Sequence, residues 1–407
     1  MNGEFDMRDE QGGKTFRRKV FYVAGYHRIP FKYYLKQIRQ GIPLLEQVEG
    51  RSIRMTTHED KAGKLLPRLD LLADGPDGAT ETSYSFLGAT RPSLKRILTP
   101  GWRKTFELPI NALKTLSVIR LLVTLWRKQW TFYLCVAFGF GVALFYLAAL
   151  AGLGAWLGGW ALSGFGPAAH WLGSIGGGVA GALISGFVQD YNNQKFHHRL
   201  VVDCIQMKTD WVNGKAPEFD ELIDQCTDQV AEEIASGQWD EVLIVGHSIG
   251  GVMSVQIVDR LIARDRVDAS VPLSMLTLGA VHVVPCGLTA DNLHHQALRR
   301  VCNSDRLDWH EVFSPRDPLN VPYKSPSWHY LDKSTAPLPK MHSLKIMERV
   351  DAQTYKRLKW SPWEMHFAYL QEVERPAEIS LLRCMVSARP LSQNLGVAST
   401  TEQEDAV

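Results

Sequence analysis

Between Gln129 and Gln189 the chain has no aspartate, glutamate, lysine or arginine, and His170 is the only ionisable side chain of consequence there. A stretch so poor in charge is hard to place on a soluble surface. A membrane-crossing helix needs about 20 apolar residues, so two fit, near 130–152 and 168–187. The intervening "GAWLGGWALSGFGPA" carries Trp156, Trp160, several glycines and Pro167, which suits an interfacial turn. The competing expectation is a buried helical pair inside a soluble domain. Cations crowd both outer flanks, with Arg120, Arg127 and Lys128 before, then Lys195, His197, His198 and Arg199 after. Both ends of a hairpin are therefore expected on the cytoplasmic side.

Other absences narrow the class further. The six cysteines include no Cys-x-x-Cys pair, which argues against a redox or zinc framework and suits a reducing compartment. The net charge is only +2, and no arginine-rich or zinc-like motif appears, so a nucleic-acid partner is not expected. The opening residues "MNGEFDMRDEQGGKTFRRKV" lack an apolar core, so no cleavable secretory signal is expected. There is no internal repeat. With 407 residues, 45% hydrophobic and 22% charged, the chain has material for a sizeable core.

The chemistry centres on "WDEVLIVGHSIGGVMSVQIVDRLIARD", Trp239 to Asp265. Val242 to Val245 form a continuous apolar run that reads as a buried strand, and Val252, Val255, Val258, Leu261 and Ile262 then recur at helical spacing. Ser248 sits in the tight turn between strand and helix. Gly246 and Gly250 leave room for a strained backbone there, and the helix start offers free N–H groups to a developing anion. The same letters also fit a serine that merely caps a helix.

This segment resembles the nucleophile elbow of the α/β-hydrolase superfamily, and "VGHSIGG" is similar to a common form of it. The likeness covers 18–59 and 240–372 in pattern, with the elbow as its specific part. It implies a doubly wound α/β sheet and the chain order serine, acid, histidine. After an apolar strand at Val271 to Ala280, "LDWHEVFSPRDPLNVPY" places Asp317 in a turn just past a strand end, where the superfamily carries its acid; Asp305 and Asp308 are poorer candidates. Asp317 before proline also fits a plain turn former. Of the histidines that follow, His329, His342 and His366, the last stands after a Pro-Trp turn in "KWSPWEMHFAYLQEV" and suits the superfamily's ending, with His342 as its rival. Near the start, the strand Lys19 to Ala24 runs into Gly25, and Tyr26 or His27 can offer a backbone N–H beside that of Ile249 as an oxyanion hole.

The expected organisation is a polar segment (1–17), a first part of the hydrolase-like domain (18–106), a basic juxtamembrane helix with the transmembrane hairpin (107–190), a second part holding the catalytic residues (191–376), and a disordered tail (377–407). Ser52 to Asp60 is expected as a strand from whose carboxyl end the hairpin segment departs; most of 60–127 matches no pattern. Gly173, Gly177 and Gly181 leave a smooth groove on the second span. Its partner is either the first span, through Ala148 and Gly152, or another copy of the chain. The expected function is a serine hydrolase on the cytoplasmic face of a bacterial-type inner membrane. Its triad is Ser248, His366 and Asp317, with Ile249 and Tyr26 as oxyanion donors. It needs neither cofactor nor metal and takes a carboxylic ester, an acyl lipid among the candidates. The alternative is a scaffold that keeps the fold and binds a membrane partner.

Overall fold

Short apolar runs bounded by glycine, proline and charge become the strands of one mixed sheet with helices on both faces. The computed structural model describes residues 14–23, 31–60, 63, 65–87, 123, 125–127, 130–196, 198–267, 270–288, 291–320, 325–327, 331, 336–371 and 379–395. Strand β1 (Phe16–Val23) leads to helix α1 (Phe31–Glu49), then to β2 (Ser52–Glu59), β3 (Leu65–Gly75) and β4 (Gly78–Leu87). Two long helices follow, α2 (Trp130–Leu162) and α3 (Pro167–Phe196), then α4 (His198–Val212) and α5 (Pro217–Ala235). The second half alternates strand and helix: β5 (Glu241–His247), α6 (Ile249–Ala263), β6 (Leu273–Leu278), α7 (Val283–Leu288), α8 (Leu293–Cys302) and β7 (Asp308–Phe313). It closes with β8 (Lys340–Ser343), α9 (Ile346–Arg349), α10 (Ala352–Leu358), α11 (Pro362–Phe367), α12 (Leu381–Val386) and α13 (Leu391–Asn394).

The sheet order is β2-β3-β4-β1-β5-β6-β7-β8. From β4 to β8 neighbours are parallel, while β2 and β3 are antiparallel additions at one edge. Strand β5 shows why the sheet is covered twice. Val242 and Ile244 enter one buried apolar cluster and Leu243 and Val245 the other, as a two-residue side-chain period demands.

Strands β3 and β4 fill much of the stretch in which the sequence shows no recognisable pattern. The sign was present: "LLADGPDGATET" joins two alternating runs through a turn, with Gly75 paired to Gly78. Their presence changes where the long insertion departs. It leaves after Leu87 at the end of β4, not after β2. Because β4 is parallel to β1, with Val23 opposite Leu87, that exit still lies at the carboxyl edge of the sheet.

The expected disordered tail is folded over 379–395. Leu381, Leu382, Met385, Val386 and Leu391 are buried, and the backbone around them is held by charge. Arg18 Nε donates to Glu241 Oε2 at 2.6 Å, with both side chains fully buried. Its Nη1 donates to Met385 O at 3.0 Å and Ser387 O at 2.8 Å. Glu241 Oε1 accepts from Leu391 N at 2.8 Å and Ser274 Oγ at 2.7 Å. The apolar run "ISLLRCMV" over 379–386 is a legible sign of this order, and the charged partners that clamp the segment lie far away in sequence.

The helical pair also differs from expectation in its limits. Helix α2 runs on to Leu162, through the segment expected as a turn, and reversal takes only Ser163–Gly166, where Gly166 adopts φ +97° before Pro167. The glycines that suggested a turn are instead packing surface. A Cβ built on Gly154 would lie 2.1 Å from Gly177 O, one on Gly158 2.0 Å from Gly173 O, and one on Gly181 2.0 Å from Leu150 O. The Gly173, Gly177, Gly181 groove is thus filled by α2 of the same chain, through Gly154 and Gly158, not Ala148 and Gly152. A second copy must use another face. The juxtamembrane helix expected before Trp130 lies mostly outside the described residues.

Replacing Arg18 by alanine strands the buried Glu241 carboxylate and frees the carbonyls of Met385, Ser387 and Arg389. The expected cost is about 3–5 kcal/mol, with 379–395 becoming a site of early proteolysis. Chemical denaturation and limited proteolysis in detergent measure both, and an Arg18→Ala chain as stable and protected as the parent refutes this role.

Candidate active site

Ser248 lies at the carboxyl end of β5, in the middle of the sheet. Its backbone is forced to φ 59°, ψ −118°, a conformation that costs a non-glycine residue energy. Close packing holds it there. A Cβ on Gly246 would meet Ser254 Oγ at 2.5 Å and Gly250 O at 2.6 Å, and one on Gly251 would meet the Ala280 methyl at 2.6 Å. The turn is tight because strand and helix nearly touch. Ser248 N donates to Leu278 O at 3.0 Å, fixing the elbow to β6. Ile249 begins α6, so its N–H belongs to the helix amino terminus beside the serine. Tyr26, the other oxyanion candidate, lies outside the described residues, as do Gly25 and His27.

Asp317 and His366, 49 residues apart, are brought together. His366 Nδ1 donates to Asp317 Oδ2 at 2.7 Å, with side chains 1% and 0% exposed. Asp317 Oδ1 accepts from Leu319 N at 2.9 Å, and Oδ2 also accepts from Tyr369 Oη at 3.1 Å. Burial, then the Asp317 charge, raises the Tyr369 phenol well above its ordinary pKa, so its proton stays on oxygen to be donated. The carboxylate fixes Nδ1 as the protonated nitrogen. His366 Nε2 is thereby left as an acceptor, and it is buried with no hydrogen-bond partner among the described residues.

His247 connects this pair to the elbow. Its Nε2 donates to the backbone carbonyl of His366 at 2.9 Å, and the two rings lie 4.8 Å apart. The residue before Ser248 therefore holds the histidine's main chain. No hydrogen bond joins Ser248 Oγ to His366 Nε2.

The rival residues go elsewhere. His342, on β8, stacks on His310 and is bonded to it at 2.7 Å, and burial followed by the neighbouring His310 pushes its pKa down to about 4. Asp308 is engaged by His310 at 2.9 Å and Lys340 at 2.6 Å, Asp305 lies exposed in a bend, and His329 is outside the described residues.

Three participants escape sequence reading: His247, Tyr369 and Gly279. Tyr369 also accepts from Ser314 N at 2.9 Å, an arrangement that follows from packing alone. Gly279, at the end of β6, has φ +53°, and a Cβ there would lie 2.7 Å from the Tyr369 ring and 3.3 Å from Asp317 Oδ2. A glycine closing a strand at the level of the elbow is the one legible hint. Among the described residues no cluster of histidine, cysteine and carboxylate suits a metal ion.

Gly279→Ala is expected to displace Tyr369 and the Asp317 carboxylate while leaving the distant core intact. The His366 imidazole Nδ1–H resonance, shifted far downfield by its carboxylate partner in the parent, should move upfield or vanish. An unchanged resonance shows that the site tolerates the methyl group. No protein-family model matches the chain, and neither does any curated protein or solved structure.

Proposed function

We propose that the chain is a membrane-anchored serine hydrolase of the α/β-hydrolase type that cleaves a carboxylic ester. The observation that carries this reading is the His366–Asp317 pair, whose Nε2 is buried without a partner, tied through His247 to a serine on a strained elbow. A buried, oriented, unengaged imidazole nitrogen is a general base prepared for a proton. In this scheme His366 Nε2 takes the Ser248 hydroxyl proton as Oγ attacks the ester carbonyl. The N–H of Ile249, with that of Tyr26, stabilises the oxyanion. The proton then passes to the leaving alcohol, giving an acyl-serine, and water attacks that ester with His366 again as base. Asp317 holds the tautomer and offsets the charge on the imidazolium; Tyr369 and Leu319 hold Asp317. This scheme needs a serine–histidine hydrogen bond, and catalytic bonds of this kind characteristically tighten in the substrate complex.

The membrane reading rests on α2 and α3, both long and apolar enough to cross a bilayer, with only 17% and 22% of their most apolar windows buried. A core helix of a soluble protein hides such a surface; here Phe165 is 80% exposed and Leu172 69%. At about 1.5 Å per residue α2 is about 50 Å long, more than the roughly 30 Å of hydrocarbon. Its first turns therefore belong to the soluble body, where Phe132 and Val136 are buried. Trp156, Trp160 and Trp171 near the turn form an aromatic belt at the far surface. The flanking cations favour a topology with the hydrolase domain and both termini on the cytoplasmic side of a bacterial-type inner membrane.

A fluorophosphonate probe is expected to label the parent protein and neither Ser248→Ala nor His366→Ala. Ester turnover should fall by roughly four to six orders of magnitude in both; Asp317→Asn should lose about 10⁴-fold, and His342→Ala should stay active. A folded parent that takes no label and turns over no ester is instead a scaffold with the fold of a hydrolase. For topology, Ser163→Cys should react with an impermeant maleimide from outside intact cells, and failure to react while detergent-solubilised protein does react refutes a full crossing.

A further inference from the structure

His366 and Tyr369 stand three residues apart, on α11 and on the helical turn Ala368–Leu370 that continues it, so one helix face presents both side chains. They reach the same atom. His366 Nδ1 donates to Asp317 Oδ2 at 2.7 Å, and Tyr369 Oη donates to that oxygen at 3.1 Å. The other carboxylate oxygen, Oδ1, accepts from Leu319 N at 2.9 Å.

A count of protons fixes the direction of the tyrosine bond. Ser314 N donates to Tyr369 Oη at 2.9 Å, and Asn320 Nδ2 approaches it at 3.5 Å. Both neighbours are donors, so the phenol's one proton goes to Asp317 Oδ2. The ring is held in place as well. It fits against Gly279 because a Cβ there, 2.7 Å from the ring, is missing, and the rings of His247 and His366 stand 6.1 and 6.2 Å away. Tyr369 is buried, so water does not compete for the bond.

The charge on Asp317 favours the imidazolium form of His366, and a hydroxyl dipole aimed at Oδ2 offsets part of that field. Among the described residues the other ionisable groups facing the pair are His247 at the end of β5, its ring 4.8 Å from His366, and the Cys135 thiol on α2. Arg316 and Glu364, the charged neighbours in sequence, are exposed.

We propose that Tyr369 is a positioning residue that acts through Asp317 and sets the lower pH limit of the site. By drawing on Oδ2 it keeps His366 uncharged, and so able to take the Ser248 proton, at pH values where an unopposed aspartate would have charged the ring. The inference rests on the serine-hydrolase reading and adds a control to it. A wider pH range is offset by a weaker base, since the proton affinity of the imidazole is what drives removal of the serine proton. A tyrosine that merely held the carboxylate in place has the opposite signature: without it Asp317 turns away, the imidazolium loses its partner, and the ring is charged only at lower pH.

The test is Tyr369→Phe, which keeps the ring and removes the hydroxyl, in full-length detergent-purified protein carrying isotope-labelled histidine. The midpoint of the His366 titration, read from its Cε1 resonance, is expected to rise by about half to one pH unit. The Nδ1–H resonance should move further downfield, and Ser248 labelling by a fluorophosphonate should be lost at correspondingly higher pH. A ring-fluorinated tyrosine placed at 369 is a stronger donor that keeps the Ser314 bond. It should lower the midpoint, and it decides if Tyr369→Phe does not fold. A parent that takes no label at any pH sinks the hydrolase reading and this inference with it. A labelled parent whose midpoint is unchanged in both variants, or falls in Tyr369→Phe, overturns the inference alone and leaves Tyr369 a structural support.

Discussion

Arg18 and Glu241 are paired across the central strands of the sheet, and the rest of the architecture hangs on that contact. They are direct partners in the register of β1 and β5, although 223 residues separate them in the chain. All of the insertion, including both long apolar helices, lies between. Closing so long a loop is entropically costly, and a strand of branched apolar residues such as "VLIV" can slip along its neighbour without changing its composition. A buried ion pair admits one register, since displacement strands two charges in the core. Its desolvation is costly, and what offsets that is complete engagement: the guanidinium reaches C-terminal carbonyls, and the second carboxylate oxygen accepts from Ser274 and Leu391. One contact thereby fixes register, joins the two halves of the sheet and clamps the last folded residues.

The candidate site depends on that register because each of its parts ends a different strand. Ser248 follows β5, Gly279 follows β6 and Asp317 lies in the turn after β7, all at the carboxyl edge, where open α/β sheets collect their functional groups. His366 comes from a short helix after the last strand and is docked by two bonds of different kind. Asp317 holds its ring, and His247 holds its main chain. Glycine at 246, 251 and 279 is a condition of this convergence, since a methyl group at any of them meets the elbow, the neighbouring strand end or the acid.

The helical pair obeys a related rule of close approach. Glycine in a helix lowers stability in water, and Gly154 to Leu162 is the first part of the glycine- and tryptophan-bearing segment expected as an interfacial turn. It remains helical because Gly154 and Gly158 face Gly177 and Gly173 at backbone contact, where any side chain is excluded. The same close contacts run along the pair from Gly154 to Gly181 and join the two long helices backbone to backbone.

Much of the fold is encoded locally. The elbow strand and helix, the first strand and helix and the two charge-free helices can all be read from neighbouring residues, because each depends on side-chain period, a glycine or a run of one polarity, whereas the order serine, aspartate, histidine is only what the resemblance of the elbow implies. The β3–β4 hairpin is legible too, in its glycine-flanked turn, although the surrounding segment matches no familiar pattern. Order and setting in the sequence favour His366 over its rival His342, and the tertiary structure supplies the contacts that separate them, since His342 is captured by His310 and His366 by the acid. It alone docked 379–395, whose backbone bonds to Arg18 and Glu241 from the far end of the chain. It alone brought His247 and Tyr369 to the site. Local patterns encode what a segment is, but a contact between residues hundreds of positions apart leaves no mark on either one's neighbours, and only the closed sheet brings such residues within reach.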